Sequence, residues 1–228
     1  MDLFPLGTLS GGSGNGTIDS VSYSFFEPNV KCFSSPSFTS LVTKFQNQTI
    51  LARKKANPFL NISYEYNNIF LSEYQQIEHF IYNHDEAVNS FYVVDLSKGI
   101  LPTGIVTTPS TWTASIANTR LYSAVSNQKA NYCFFSNGIN WKLGTVTTVN
   151  ANTSIVCNVD TNNYGALTDA QGMIITGNQR TLIYPVYQCF ITPNALSSFQ
   201  TNQYWANYDS ERGFMYSGNL TFVSKYAI

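Results

Sequence analysis

Apolar and polar positions alternate along much of the chain. Val21, Tyr23 and Phe25 are separated by Ser22 and Ser24, and Leu60, Ile62, Tyr64 and Tyr66 by Asn61, Ser63 and Glu65. A period of two is expected of a strand with one buried face. Between these runs LVTKF and TILARKK flank Asn47 and Gln48, which predicts a hairpin. The period then changes in LSEYQQIEHFIYN, where Tyr74, Ile77, Phe80 and Ile81 share one face and Glu73, Gln76, His79 and Asn83 the other. Ser72 and Gln75 have capping-box spacing, so the pattern predicts a helix whose apolar face lies on a sheet.

FYVVD, ending at Asp95, reads as a buried strand, and LSKGILP after it as a boundary. Beyond Pro102 short Thr-rich, β-branched runs recur, RLYSAV, NYCFF, INWKLGTVTTV and SIVCNV, with a hairpin turn at Asn137-Gly138. QGMIITGNQRTLIYPV supplies two more strands, with Pro185 expected at an edge or a strand end. NALSSF, a loop through YWANYDSER and a last strand in GFMYSGNLTFVS complete the chain. The predicted fold is mainly β (α+β), a β-sandwich-like part with one α-helix and a small β-barrel or β-sandwich inserted at residues 105–187. Residues 1–17, with the run GGSGNG, read as an N-terminal arm.

Composition narrows the function. The 228 residues carry 12 Lys+Arg and 13 Asp+Glu, a net charge of −1, and only 11% are charged, against about 25% in ordinary globular chains. A near-neutral chain has no electrostatic footprint for a phosphate backbone, so direct nucleic-acid binding is not expected. With 43% hydrophobic residues it does not have the composition of a disordered chain either. The opening MDLFPLGTLSGGSGNG has neither the basic start nor the apolar run of a signal peptide. No stretch reaches the roughly 18 apolar residues of a membrane span. Synthesis and assembly in a cytoplasm are therefore expected, with Cys32, Cys133, Cys157 and Cys189 as free, buried thiols and the sequons at Asn15, Asn47, Asn61, Asn152 and Asn219 unused.

Reactive constellations are sparse. His79 and His84 are the only histidines, G-x-S-x-G is absent, and both imidazoles are expected at solvent or at an interface. His79, His84, Asp85 and Glu86 lack zinc-ligand spacing. DTNNYG at Asp160 departs from a calcium loop at Tyr164 and again at Gln171. Gly11 and Gly16 have the separation of a phosphate loop, but the required Lys is missing. No catalytic residue, cofactor or metal is expected. A glycosidase would have to use Asp209 and Glu211, by elimination. Arg53, Lys54 and Lys55 form the only basic run, and the stretch containing Glu78, Asp85 and Glu86 is acidic. These charges either dress a solvated hairpin and helix or pair one copy of the chain with the next. Tyr122, Tyr132, Trp141 and Tyr164 either belong to strand cores or make a sugar-stacking platform.

From residue 56 to residue 102 the chain resembles phage distal tail proteins. The residues that carry the likeness are Tyr64 and Tyr66 on a strand, Leu71 and Ser72 at the cap, Ile77 and Phe80 on the helix, and Phe91 with Asp95 on the following strand. The turn departs from the commoner pattern, with Asp85-Glu86 where a Gly is usual. The resemblance implies a ring-forming belt domain at residues 18–104 and 188–228, with an OB-like barrel inserted between them. It implies a structural virion protein, a homohexameric ring joining the distal end of the tail tube to tail-tip or baseplate proteins, without enzymatic activity. Expected partners are further copies of itself, the tail tube protein, the tape measure protein and baseplate hub proteins. A glycan-binding or receptor-binding adaptor module, taking host-surface glycan, is the alternative.

Overall fold

A computed structural model describes residues 1–9, 15–37, 40–44, 50–54, 58–84, 88–108, 110–126, 128–137, 141–159, 181–203 and 214–226. Four short strands open the chain, β1 (Asp2–Leu3), β2 (Gly7–Leu9), β3 (Asn15–Ile18) and β4 (Val21–Ser24). After them come β5 (Lys31–Ser37), β6 (Ser40–Lys44), β7 (Ile50–Lys54) and the long β8 (Phe59–Phe70), which runs straight into α1 (Leu71–Asn83). β9 (Phe91–Val94), β10 (Gly104–Thr107), β11 (Thr111–Ser115), β12 (Tyr132–Ser136), β13 (Trp141–Asn150) and β14 (Ser154–Val159) follow. β15 (Leu182–Ile191), β16 (Gln200–Gln203) and β17 (Phe214–Ser224) complete the described strands. Among the described residues the fold is mainly β with a single α-helix, and its sheet curls into a half-barrel.

One path of hydrogen-bonded neighbours runs β10-β11-β14-β13-β12-β15-β9-β1-β2-β3-β4. β15 joins this path to a second group, β5-β8-β17 with β16 on β17. Val186 is opposite both β12 and β9, and Cys189 opposite both β9 and β17. β12 and β17 therefore follow one another along the same edge of β15, which crosses residue 188, the expected domain boundary.

Pro185 lies in the middle of β15, not at an end. Its carbonyl accepts from the Asp95 N–H at 2.9 Å, so its ring nitrogen faces the β9 side. There the chain leaves the sheet through a 3-10 turn, Leu96–Lys98, before returning at Ile100 opposite Ile183. The proline removes a donor where the facing Asp95 carbonyl accepts from the Lys98 N–H instead, at 3.1 Å.

Period-two burial appears in β8, where Leu60, Ile62, Tyr64 and Tyr66 are buried, but the alternation slips at Asn67-Asn68. These two residues face Ser217 alone, a bulge with Asn68 at φ 53°. The Ser217 hydroxyl accepts from the Asn68 N–H at 3.0 Å and donates to Asn67 Oδ1 at 2.9 Å. The slip returns Ile69 to the core.

The first helical residue is Leu71, so the cap is Phe70, with Glu73 three positions on accepting the Phe70 N–H at 2.8 Å. The expected Ser72–Gln75 box lies two residues too late. Phe80 meets Phe4 at 5.1 Å and Phe91 at 4.8 Å between ring centroids, and Tyr74 stacks on Tyr216 at 4.1 Å.

Residues 1–9 are no free arm. Leu3, Phe4 and Leu6 are wholly buried, Leu3 pairs in parallel with Tyr92, and the Phe4 N–H donates to the Tyr92 carbonyl at 2.9 Å. Residues 120–125, expected as a strand, form turns and one isolated bridge from Tyr122 to Ala130. Local side chains take the backbone groups a ladder needs: Asn118 accepts from the Arg120 N–H, Ser123 from the Val125 N–H, and Asn131 donates to the Ser123 carbonyl.

Candidate functional site

The basic run lies on the hairpin β6–β7. Ser40 to Lys44 pair with Lys54 to Ile50, which places Arg53 opposite Leu41 and Lys54 opposite Ser40. Among the described residues this two-stranded sheet is joined to no other strand. Chain order places it between β5 and β8. Glu78 is half-buried on α1. Lys55, Asp85 and Glu86 lie outside the described residues, as do Tyr164, Asp209, Glu211 and the Asp160 segment.

Three described aromatics of the expected platform do not share a surface. Tyr122 is 3% exposed and Trp141 7%, Trp141 stacking on Phe134 at 5.1 Å. Tyr132 is half-buried, edge-on to Tyr92 at 4.9 Å. Strand alternation turns Phe134 and Trp141 to one face of the sheet and Cys133 and Phe135 to the other, and both faces are covered. Tyr132 does line an open cleft of about 540 Å³ with Ser110, Leu143, Thr145, Asn158 and Val159.

The helix's polar side chains hold the N-terminal strands. Gln76 is buried and its amide donates to the carbonyls of Pro5 and Ser24, each at 2.9 Å. His79 bonds the Tyr23 hydroxyl and Asp19 Oδ2, both at 2.9 Å. His84, expected at the surface, is buried: its ring stacks on Phe80, Nδ1 donates to the Phe80 carbonyl at 2.8 Å and Nε2 faces Asp2 Oδ2 at 3.3 Å. The two histidines thus serve separate carboxylates, and of the positions on the polar face Gln76 and His79 contact the N-terminal strands while Asn83 is exposed.

Asp95 is a polar centre that composition and spacing alone did not single out. Wholly buried, it caps the 3-10 turn, Oδ1 accepting from the Ser97 N–H at 3.1 Å and the Ser97 hydroxyl at 2.6 Å. Oδ2 has no hydrogen-bond partner among the described residues, and neither has the Tyr122 hydroxyl. Burial first, and the Asp95 charge second, push the Cys32 thiol up to about 12 and the Cys189 thiol higher still. Thiols held in this way are not nucleophiles at neutral pH. No helix among the described residues is long and apolar enough to cross a membrane. Compared with protein-family models and with curated proteins, the chain matches none.

Proposed function

We propose that the chain is a structural protein of a phage or phage-like tail, closing into a homo-oligomeric ring that joins the distal end of the tail tube to tail-tip or baseplate proteins. The observation that carries this reading is the β6–β7 hairpin, a basic two-stranded arm joined to no other described strand and following directly on the outer strand β5. Among the described residues β5 pairs only with β8, and β10 and β4 end the long path. Phe33 on β5 is 39% exposed and Val106 on β10 68%. Outer strands with exposed apolar residues need cover, and neighbouring copies provide it. Arg53 and Lys54 of one copy would then face the acidic stretch that includes Glu78 of the next.

Light scattering and cryo-EM of the purified chain, alone and with a tail tube protein, test the reading. A closed ring is the expected result, with R53E/K54E weakening it while the circular dichroism spectrum stays unchanged. A chain that remains monomeric and never co-assembles with tail proteins overturns it. The cleft beside Tyr132 supports the second reading, a glycan-binding adaptor, because it offers an aromatic ring beside Ser110, Thr145 and Asn158. Its test is titration with neutral oligosaccharides, where Y132A should abolish binding.

A further inference from the structure

A phenol, an imidazole and a carboxylate from three elements form one hydrogen-bonded line. Asp19 and Ser20 join β3 to β4 at φ 48° and 68°, with Ile18 opposite Val21, the left-handed pair of a tight two-residue turn. The turn fixes Asp19, β4 carries Tyr23, and α1 supplies His79. The Tyr23 hydroxyl lies 2.9 Å from His79 Nδ1, and His79 Nε2 lies 2.9 Å from Asp19 Oδ2. The two rings meet edge to face, their centroids 5.9 Å apart. An ionised carboxylate only accepts, so in the neutral imidazole the proton is on Nε2 and Nδ1 keeps its lone pair for the Tyr23 O–H. His84, the other imidazole, bonds the Phe80 carbonyl and faces Asp2 instead. Among the described tyrosines, Tyr23 is therefore the one whose hydroxyl meets a histidine.

We propose that Tyr23 is a one-electron oxidation site, where the phenol gives its electron to an outer-sphere one-electron oxidant and its proton to His79 Nδ1. The oxidant gains one electron. The phenolic O–H bond breaks and an N–H bond forms on Nδ1, leaving a neutral tyrosyl radical and an imidazolium that faces Asp19.

The hydroxyl holds its proton at neutral pH, because burial first and the Asp19 charge second raise it above its ordinary 10.0. Losing the electron alone would leave a cationic phenol radical in a half-buried place, a charge with no partner there. A base at 2.9 Å, inside the range of direct proton transfer, takes that charge away. Asp19 then holds the imidazolium by a charge-assisted bond. Tyr64, by contrast, donates to the Val94 carbonyl, and the hydroxyls of Tyr66 and Tyr122 have no partner among the described residues, so none of the three has a base to receive its proton. This inference does not depend on the tail-ring reading.

The test photo-oxidises the full chain at mildly alkaline pH with a limiting dose of tris(bipyridine)ruthenium(III), made by light and persulfate. A phenylenediamine trap captures the tyrosyl radicals, and peptide mapping locates them among the 15 tyrosines. Tyr23 should carry the largest share of label, ahead of Tyr82, although that residue is 60% exposed. H79F should lower the Tyr23 label about tenfold or more and leave the Tyr82 label unchanged. A His79 that only propped the hairpin would have the opposite effect, since its loss would expose Tyr23 and raise the label. D19G keeps the left-handed turn but frees the imidazole tautomer, and should lower the Tyr23 label by a smaller factor with the circular dichroism spectrum unchanged. A wild-type map dominated by Tyr82, or a Tyr23 label that is unchanged or raised in H79F, overturns the proposal.

Discussion

Asp2 and His84 tie the first strand to the end of the helix, and their chemistry sets a pH dependence. Burial alone would raise the Asp2 carboxyl, but the Thr8 hydroxyl and His84 outweigh it and hold the group below its ordinary 3.8. A depressed carboxylate contributes stability that is complete above the unfolded value and is lost as pH falls through the lower, folded one. D2N should therefore melt below the wild type at pH 7, and the gap should close as both are acidified below about pH 4. A gap that stays constant down to pH 2.5 in thermal melts would remove Asp2 from the account. Gly7 makes a sharper case in the same segment. It sits at φ 77°, and a Cβ there would lie 2.5 Å from the Thr17 carbonyl oxygen, so G7A combines backbone strain with a clash against main chain. A loss of about 2 kcal/mol or more in denaturant unfolding is the expected outcome.

At the scale of elements, residues 1–9 are decisive. They bury Leu3, Phe4 and Leu6 completely, and the Pro5 carbonyl accepts from the buried Gln76 amide. A chain starting at residue 10 should fail to fold, giving no sharp thermal transition; a cooperative, native-like melt would show the segment to be dispensable. The sequence pattern missed this because strands of two and three residues are too short to display a period. The Gly-rich run after them also looks like a lead-in. The helix was legible to its ends, 71–83, since four apolar residues at helical spacing outweigh any local ambiguity. Its cap was not, because Glu73 reaches back to a backbone N–H and needs no capping side chain on Phe70. The polar face was misread for a related reason: spacing separates polar from apolar positions, but not water from a partner strand. Of the candidate site, the basic run was legible as a hairpin, while period two alone left open whether Tyr122 and Trp141 were core or surface. Asp95 escaped because a single carboxylate has no spacing to betray that it is buried.

At the scale of the whole molecule, the question is whether residues 105–187 behave as a separate unit. The residues of β15 pair in turn with β12, β9 and β17, so the one strand shares hydrogen bonds with both expected parts. The main apolar cluster is likewise continuous, holding Phe4 and Phe222 at one end and Trp112 and Cys157 at the other. Pulling the later strands away would strip one edge of β15 and expose Ile183 and Val186, each at most 1% accessible. Partial unfolding therefore leaves unpaired backbone groups and bare apolar surface on the part that remains. Scanning calorimetry of the monomeric chain should show one transition whose calorimetric and van't Hoff enthalpies agree, and V186D should lower that single midpoint without splitting it. Two resolved transitions would mean that β15 is a seam along which the molecule parts, and that the later strands are an inserted domain in the energetic sense as well.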